Sequence, residues 1–298
     1  MDKLWLILKS TLWILLELLV FIAIMGAITA LLSYLALNLS DTSDYGNTEG
    51  SLDPYSMLLV EYIPLLIGSM ISLYLTHKLI FNRSFDTTGF VRNNLLLSSG
   101  KTGLMALSIL LSGFVLLYLV NYLDIVEIEF TPLLFFGFLL LFIIQSSFEE
   151  IVSRSFMIPS ITQRANVWVA LLISSSLFAM LHLTNPNISI LSTVNIFLAG
   201  LVMGLIFLYY KSIWPAISFH ATWNFFQGSF FGFEVSGFDV YSLIDSKEVG
   251  PDWITGGPFG FEGSVIASIL LAAYSLYLYN QWKSVSPKSK VTCSLDGI

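Results

Sequence analysis

The hydrophobic residues of this chain are gathered into long runs that short polar segments separate. A helix that crosses a bilayer needs about 20 mostly apolar residues, and eight runs approach that length. Their predicted bounds are 16–39, 57–80, 103–121, 132–148 and beyond, 167–182, 191–210, 213–231 and 263–282. The pattern predicts an all-α fold, a polytopic membrane helix bundle of about eight transmembrane helices.

The composition agrees with lipid as the solvent, because 56% of the residues are hydrophobic and only 11% are charged. A soluble domain carries about a quarter charged residues. The first apolar run is too long for the core of a cleaved signal peptide, so we interpret it as a retained helix. Neither an internal repeat nor a flexible linker is evident, and residues 1–298 are predicted to form a single integral membrane domain.

Charge and cysteine content exclude several classes of function. The net charge is −7 and the basic residues are scattered, which argues against nucleic acid as a partner. Cys293 is the single cysteine, so neither an internal disulfide nor a thiolate metal site can form. It also lies too far from the C-terminus to be a prenylation site.

Loop charges predict the orientation, since short cytoplasmic loops are enriched in Lys and Arg. Basic residues flank the first run, follow the eighth, and occupy the connections after the second, fourth and sixth. The alternate connections, 41–53, 124–129, 184–189 and 234–262, are acidic or neutral. Both termini are therefore predicted to be cytoplasmic. The segment 231–263, rich in Gly and aromatic residues, is predicted to cap the bundle from the opposite side.

Ionisable residues at membrane depth are costly, so they are rare and usually functional or paired. Glu17 and Glu61 lie near the ends of runs, and we expect interfacial or structural roles for them. His77, beside Lys78, is expected to be solvated. The remaining polar residues of the interior form the candidate site: Glu149, Glu150, Arg154, His182, His220 and Asn224.

Spacing on the predicted fourth helix separates its two adjacent acids. Glu150 and Arg154 are four residues apart and share a face, whereas Glu149 points about 100° away. One carboxylate can therefore be neutralised while its neighbour faces a cavity.

The same spacing joins His220 to Asn224 on the seventh helix and Phe178 to His182 on the fifth. Glu149 and His182 each lie about 16 residues from the turn near Ala165 and Asn166, which places both about 24 Å from the bend. We expect a site inside the membrane but toward the cytoplasm, unless Pro159 kinks the hairpin.

These residue types favour hydrolysis of an amide by one of two routes. Glu149 with His182 can activate water as a general base, while His220 and Asn224 donate to a developing oxyanion. Glu149, His182 and His220 are equally the ligand set of a catalytic zinc. The residues alone leave both routes open, and each residue taken singly is also a plausible interhelical hydrogen-bonding partner.

Three motifs resemble those of the CPBP intramembrane peptidases, the group that contains the type II CAAX prenyl endopeptidases (the Abi family). The segment Glu149-Glu150-Ile-Val-Ser-Arg154 is similar to the family's Glu-Glu-x-x-x-Arg motif. Phe178-Ala-Met-Leu-His182 is similar to Phe-x-x-x-His, and His220-Ala-Thr-Trp-Asn224 to His-x-x-x-Asn. The resemblance covers roughly residues 134–231 and predicts a peptidase-like catalytic core over 131–231.

The resemblance implies a conical cavity open to the cytoplasm and the membrane, and a membrane-associated protein or peptide as substrate. It implies that Glu149 and His182 activate water and that His220 and Asn224 bind the oxyanion. Glu150, Arg154 and Phe178 would support them. The family is named for metalloproteases, yet a metal-free glutamate mechanism has been argued for it. Because the family has bacterial members, the resemblance also implies that this protein lies in the plasma membrane of a bacterium. One departure is Ser155, where many relatives have Gly after the arginine.

Two other functions remain open at this point. A non-catalytic immunity or scaffolding factor would retain the fold and use the polar cluster for packing. A transporter with a proton-coupled Glu–His pair would show inverted repeats or broken helices in matching halves, and neither is evident. Substrate identity, prenylation and oligomeric state do not follow from the sequence.

Overall fold

The computed structural model describes residues 3–39, 53–92 and 94–285. Eight helical segments cover most of this part of the chain, close to the predicted runs. They are α1 (Lys3–Leu39), α2 (Pro54–Ile80), α3 (Leu95–Leu119), α4 (Pro132–Thr162), α5 (Val167–Leu181), α6 (Ile190–Tyr210), α7 (Trp214–Phe225, continued by a π-helical turn, Phe226–Phe230) and α8 (Val265–Val285). Cys293, Lys288, Lys290 and most of the 41–53 connection lie outside the described residues.

Five helices in this part of the chain, α1, α2, α3, α4 and α6, are long and apolar enough to cross a membrane. α5 is apolar but shorter. α7 and α8 carry more polar residues, such as His220 and Asn224 on α7. The protein is an all-α membrane helix bundle, as predicted.

Close helix contacts depend on small residues. Gly200 of α6 lies against Ser175 of α5, where an added Cβ would come within 3.1 Å of the serine. Gly103 of α3 lies equally close to Ser218 and Thr222 of α7. Small side chains let helix backbones approach in a medium that supplies no hydrophobic drive between helices. These contacts bring α5, α6 and α7 together around the polar residues.

Of the two roles expected for Glu17, interfacial or structural, the structure favours the structural one. The side chain of Glu17 is fully buried, and its carboxylate forms ion pairs with Arg83, at 2.6 Å, and with Arg164. Arg83 also donates to the hydroxyl of Ser160. The carboxylate stays in the interior because two guanidinium groups reach it from the α2–α3 and α4–α5 connections.

The solvated position predicted for His77 is wrong. The imidazole is buried, and its Nε2 lies 2.8 Å from Thr87 Oγ1 and 3.2 Å from the carbonyl oxygen of Ser84. Both partners belong to the connection after α2, which folds back over the end of that helix. The sequence pattern gave no indication of this fold-back.

Two strands lie outside the helices and were not predicted. β1 (Leu123–Ile128) pairs antiparallel with β2 (Ile244–Glu248), with Leu123 opposite Glu248. The β-branched residues of β1 are a typical strand signal. The sheet ties the connection before α4 to the segment between α7 and α8.

The segment 231–263, here termed the cap segment, packs onto the bundle through buried aromatic residues: Phe231, Phe233, Phe259 and Phe261. The predicted capping is thus observed. Gly260 has a φ of 91° and lies so close to the carbonyl oxygen of Glu234 that no Cβ fits. Only glycine suits this left-handed, crowded position, which shapes the turn leading to Glu262.

Candidate active site

A cavity of about 1130 Å³ lies at the centre of the bundle. Its wall is mostly apolar and includes residues of α1, α2, the cap segment and every helix from α4 to α8. The predicted site residues Glu149, Phe178, His182, His220 and Asn224 all line it. Sites of this kind, apolar with a few convergent polar groups, are typical of ligand binding.

Glu150 and Arg154 lie behind the cavity wall as a fully buried ion pair. Arg154 Nη1 donates to Glu150 Oε1 at 3.0 Å, which confirms the pairing predicted from their spacing. Arg154 Nη2 donates to the carbonyl oxygen of Gly200 at 3.1 Å, and the guanidinium lies 4.7 Å from the ring centroid of Phe178. The arginine therefore joins α4, α5 and α6.

The backbone after Glu150 is a π-helix, Ile151–Met157, before α4 resumes and continues through Pro159 to Thr162. Proline lacks the N–H that a regular α-helix would use at this position. Short π-helical stretches inside α-helices are frequent at functional sites. The chain therefore stays helical from the Glu149–Arg154 motif to Thr162, and Pro159 does not interrupt the helix before the hairpin turn.

Glu149 differs from its neighbour in its surroundings, because it lines the cavity and has no arginine partner among the described residues, whereas Glu150 lies behind the wall and pairs with Arg154. Oε1 of Glu149 accepts a hydrogen bond from Gln145 Nε2 at 3.2 Å. Oε2 is buried, has no hydrogen-bond partner and lies 3.8 Å from His220 Nε2. Glu149 thus faces the cavity while Glu150 is neutralised, as predicted.

Each imidazole is oriented by a hydrogen bond at Nδ1. His220 Nδ1 lies 3.0 Å from Glu150 Oε1, and His182 Nδ1 lies 2.8 Å from the carbonyl oxygen of Phe178. A carbonyl oxygen and a carboxylate accept only, so both Nδ1 atoms carry a proton. The ring of Phe178 contacts both imidazoles, with centroids 4.8 Å from His182 and 5.8 Å from His220. Nε2 of each ring has no hydrogen bond to the described residues, and Nε2 of His220 lies 3.8 Å from Glu149 Oε2.

The structure brings Glu149 closest to His220 rather than to His182. Neither a hydrogen bond nor an ion pair joins Glu149 to His182 in the described part of the chain. His182 is the residue directly after α5. Asn224, one turn after His220, is only 5% exposed, lines the cavity, and has no side-chain hydrogen bond to the described residues.

Glu262 is a cavity residue that sequence reasoning missed. Its carboxylate accepts from Trp223 Nε1 at 3.0 Å and from Ser236 Oγ at 2.7 Å. Burial raises the pKa of Glu262, while the nearby His182 and His220 lower it. It is one of many acids in the connection before α8, and only its place after the glycine-rich turn distinguishes it.

The loops that line the cavity all belong to the acidic connections. They contribute Asp53, Asn185, Glu262 and several residues of 235–240, and the basic connections contribute none among the described residues. α5 ends at Leu181, so the connection after it lies level with the site. Asn185 donates to the carbonyl oxygen of Ser236 there. The sequence predicted a site displaced toward the cytoplasmic connections. The structure places it nearer to the acidic or neutral connections.

The geometry does not favour the zinc route. No group of three or more His, Cys, Asp or Glu side chains in the described part of the chain is arranged to hold a metal ion. A set of Glu149, His182 and His220 would need its donor atoms to converge on one point. Glu149 and His220 approach each other, but His182 does not complete the set.

Residues 131–226 match the family model of the Rce1-like type II CAAX prenyl endopeptidases. This segment is Rce1-like. It contains all three motifs, which confirms the family resemblance drawn from them. Comparisons with curated proteins and with solved structures found no match. At family level, the Rce1-like segment supports an intramembrane peptidase of the CAAX-protease type.

Proposed function

We propose that this protein is an intramembrane endopeptidase that cleaves a membrane-associated protein or peptide by attack of an activated water. The observation that carries the proposal is the free oxygen of Glu149. A buried carboxylate oxygen without a partner is costly, and Glu149 lines a cavity large enough for a peptide segment and water. Oε2 of Glu150 is also without a partner in the described part of the chain, but that residue does not line the cavity. A general base needs the combination of access and low polarity that Glu149 has.

In the proposed reaction, Glu149 Oε2 takes a proton from a water that His182 Nε2 helps to orient. The water oxygen attacks the peptide carbonyl, and the proton on Glu149 then passes to the leaving amine. His220 and Asn224 donate to the oxyanion. Because Nδ1 of His220 is already bonded to Glu150, donation from Nε2 requires the cationic imidazolium, which the carboxylates of Glu149 and Glu150 stabilise.

Glu150, Arg154 and Phe178 are positioning residues in this proposal. Glu150 fixes the ring of His220, Arg154 neutralises Glu150, and Phe178 packs between the imidazoles. We place the catalytic core at residues 131–231 of one membrane domain, in the plasma membrane of a bacterium, with cytoplasmic termini. The acidic connections that line the cavity would then face the outside.

The test uses the full chain in lipid nanodiscs with a library of lipidated peptides, whose products are read by mass spectrometry. We expect Glu149→Ala and His182→Ala each to lower the cleavage rate at least 10³-fold, as loss of a catalytic group does, without changing the melting temperature. Glu61→Gln, a cavity carboxylate outside the proposed machinery, should cleave like the native protein.

Retention of cleavage by both alanine variants would contradict the proposal. A non-catalytic immunity or scaffolding role makes the opposite prediction, since the cellular phenotype would then survive both substitutions. The peptides that accumulate in membranes when the gene is deleted would identify the substrate.

A further inference from the structure

The charged groups of the cavity wall have one sign. Four acidic residues line it, Asp53, Glu61, Glu149 and Glu262, and neither a lysine nor an arginine does so within the described ranges. Arg154 lies behind the wall, where Glu150 already pairs with it. The two histidines are the remaining groups that can carry positive charge. A ligand in this cavity therefore meets a negative potential.

Glu262 is the acid of this set whose position in the wall is best defined. Its donors, Trp223 and Ser236, are neutral, so they orient the carboxylate without compensating its charge. Its backbone carbonyl accepts from Asn195 of α6 at 2.7 Å, which anchors the turn before α8. A carboxylate offers about four acceptor positions, and the two donors leave capacity for a ligand.

Asn224 independently indicates that a polar ligand binds beside this carboxylate. The residue is 5% exposed and lines the cavity, and its side chain has no hydrogen bond in the described part of the chain. It directly follows Trp223, the residue that holds Glu262. Buried amides normally have partners. A peptide backbone bound at Asn224 would place a neighbouring side chain within reach of the cap segment.

We propose that the cavity selects a peptide segment that carries a lysine or arginine beside the bond to be cleaved, and that Glu262 binds this cationic side chain. The inference rests on the proposed function and names its substrate class. A guanidinium or ammonium group would pair with a carboxylate whose two hydrogen-bond donors, Trp223 and Ser236, are both neutral. A glutamate or aspartate side chain at the same position of the peptide would be repelled.

The experiment measures binding, so that its outcome does not depend on turnover. The probes are palmitoylated synthetic peptides with amidated ends that differ only at two central positions, which are Lys, Gln or Glu. The full-length protein is held in phosphatidylcholine nanodiscs, whose neutral headgroups do not sort the peptides by charge. Affinity is measured for the native protein, for Glu262→Gln, and for Glu248→Gln, a matched control whose carboxylate lies in the cap segment outside the cavity wall.

We expect the Lys peptide to bind the native protein roughly tenfold more tightly than the Glu peptide, as for a partly desolvated charge pair. Glu262→Gln should reduce this ratio to about threefold or less, while Glu248→Gln keeps it. Equal affinities for the Lys and Glu peptides in the native protein would overturn the inference. So would an unchanged ratio in Glu262→Gln, or an equal loss in the control.

Cleavage assays on the same samples separate this inference from the proposed function. A charge preference without cleavage would support the cation-binding site and contradict the proposed peptidase function. Cleavage without a charge preference would support the peptidase function and contradict the proposed role of Glu262. If Glu262→Gln melts at a lower temperature than the native protein, the comparison of peptides on the native protein decides alone.

Discussion

Two buried acidic clusters of this bundle differ in their charge balance. Glu17 is a single carboxylate that forms ion pairs with Arg83 and Arg164. Glu149 and Glu150 are two carboxylates that share one arginine, which pairs with the second of them. The first cluster has more arginines than acids, and the second has fewer, so that His220 is the second group there that can carry positive charge.

The difference distinguishes a structural cluster from the cluster that we propose to be catalytic. Ion pairs at Glu17 hold α1 against the connections around α2 and α4, and they leave no charge facing the cavity. At the second cluster Glu149 lines the cavity and has no arginine partner within the described ranges. An acid without a cation in a dry site is destabilised unless a ligand, a water or a proton compensates it. That need makes Glu149 suited to proton transfer.

Removing the acid of the structural cluster should have the largest effect on stability. We expect Glu17→Gln to lower the free energy of unfolding by about 3–5 kcal/mol, because two guanidinium groups lose their common partner. Denaturant unfolding in detergent micelles measures this loss. Glu61→Gln, a similar change in α2 at an exposed carboxylate, should change the stability little. An equal loss in both variants would remove the distinction.

In the cluster that we propose to be catalytic, Asn224→Ala should lower the cleavage rate and leave the stability nearly unchanged. We expect the cleavage rate to fall about 10²-fold, close to 2.7 kcal/mol, as for the loss of one oxyanion donor. Stability should remain within about 0.5 kcal/mol, because the amide has no side-chain partner in the described part of the chain. The pair of measurements is kcat on a cleaved peptide and the melting temperature. A stability loss that accounts for the lower rate would assign Asn224 to packing.

A third acidic group, in the cap segment, extends the comparison to a smaller effect. Burial, together with the neighbouring Glu234, raises the pKa of Glu248 to about 7. The folded protein therefore keeps a proton that the unfolded chain loses above about pH 4.5, so stability falls as the pH rises from 4.5 to 7. We expect Glu248→Gln to flatten this fall.

The gain from Glu248→Gln at pH 8 should be on the order of 2 kcal/mol, after allowance for partial solvent access. Melting temperatures of both proteins at several pH values between 4.5 and 8 measure it. Parallel curves for the two proteins would show that Glu248 does not titrate in this range.

Local spacing predicted the parts of the site that lie on single helices. Glu150 and Arg154 are four residues apart, so the helix itself brings them together, and Glu149 necessarily points elsewhere. The helix bounds followed from apolar length in the same way. Glu17 and Arg83 are 66 residues apart, and their contact depends on how a loop folds over two helices. The same holds for Glu262 and Trp223, 39 residues apart. No period in the sequence encodes such contacts.

The cap segment also shows that the three motifs do not make a self-sufficient module. Residues outside 131–226 close the remaining sides of the cavity. They are Glu262 of the cap segment, Ile22 and Met25 of α1, and residues of α2. A chain cut down to the Rce1-like segment would keep the three motifs intact and lose the walls that exclude lipid and bulk water. Specificity can therefore diverge between relatives through the flanking helices and loops while the motif residues stay unchanged.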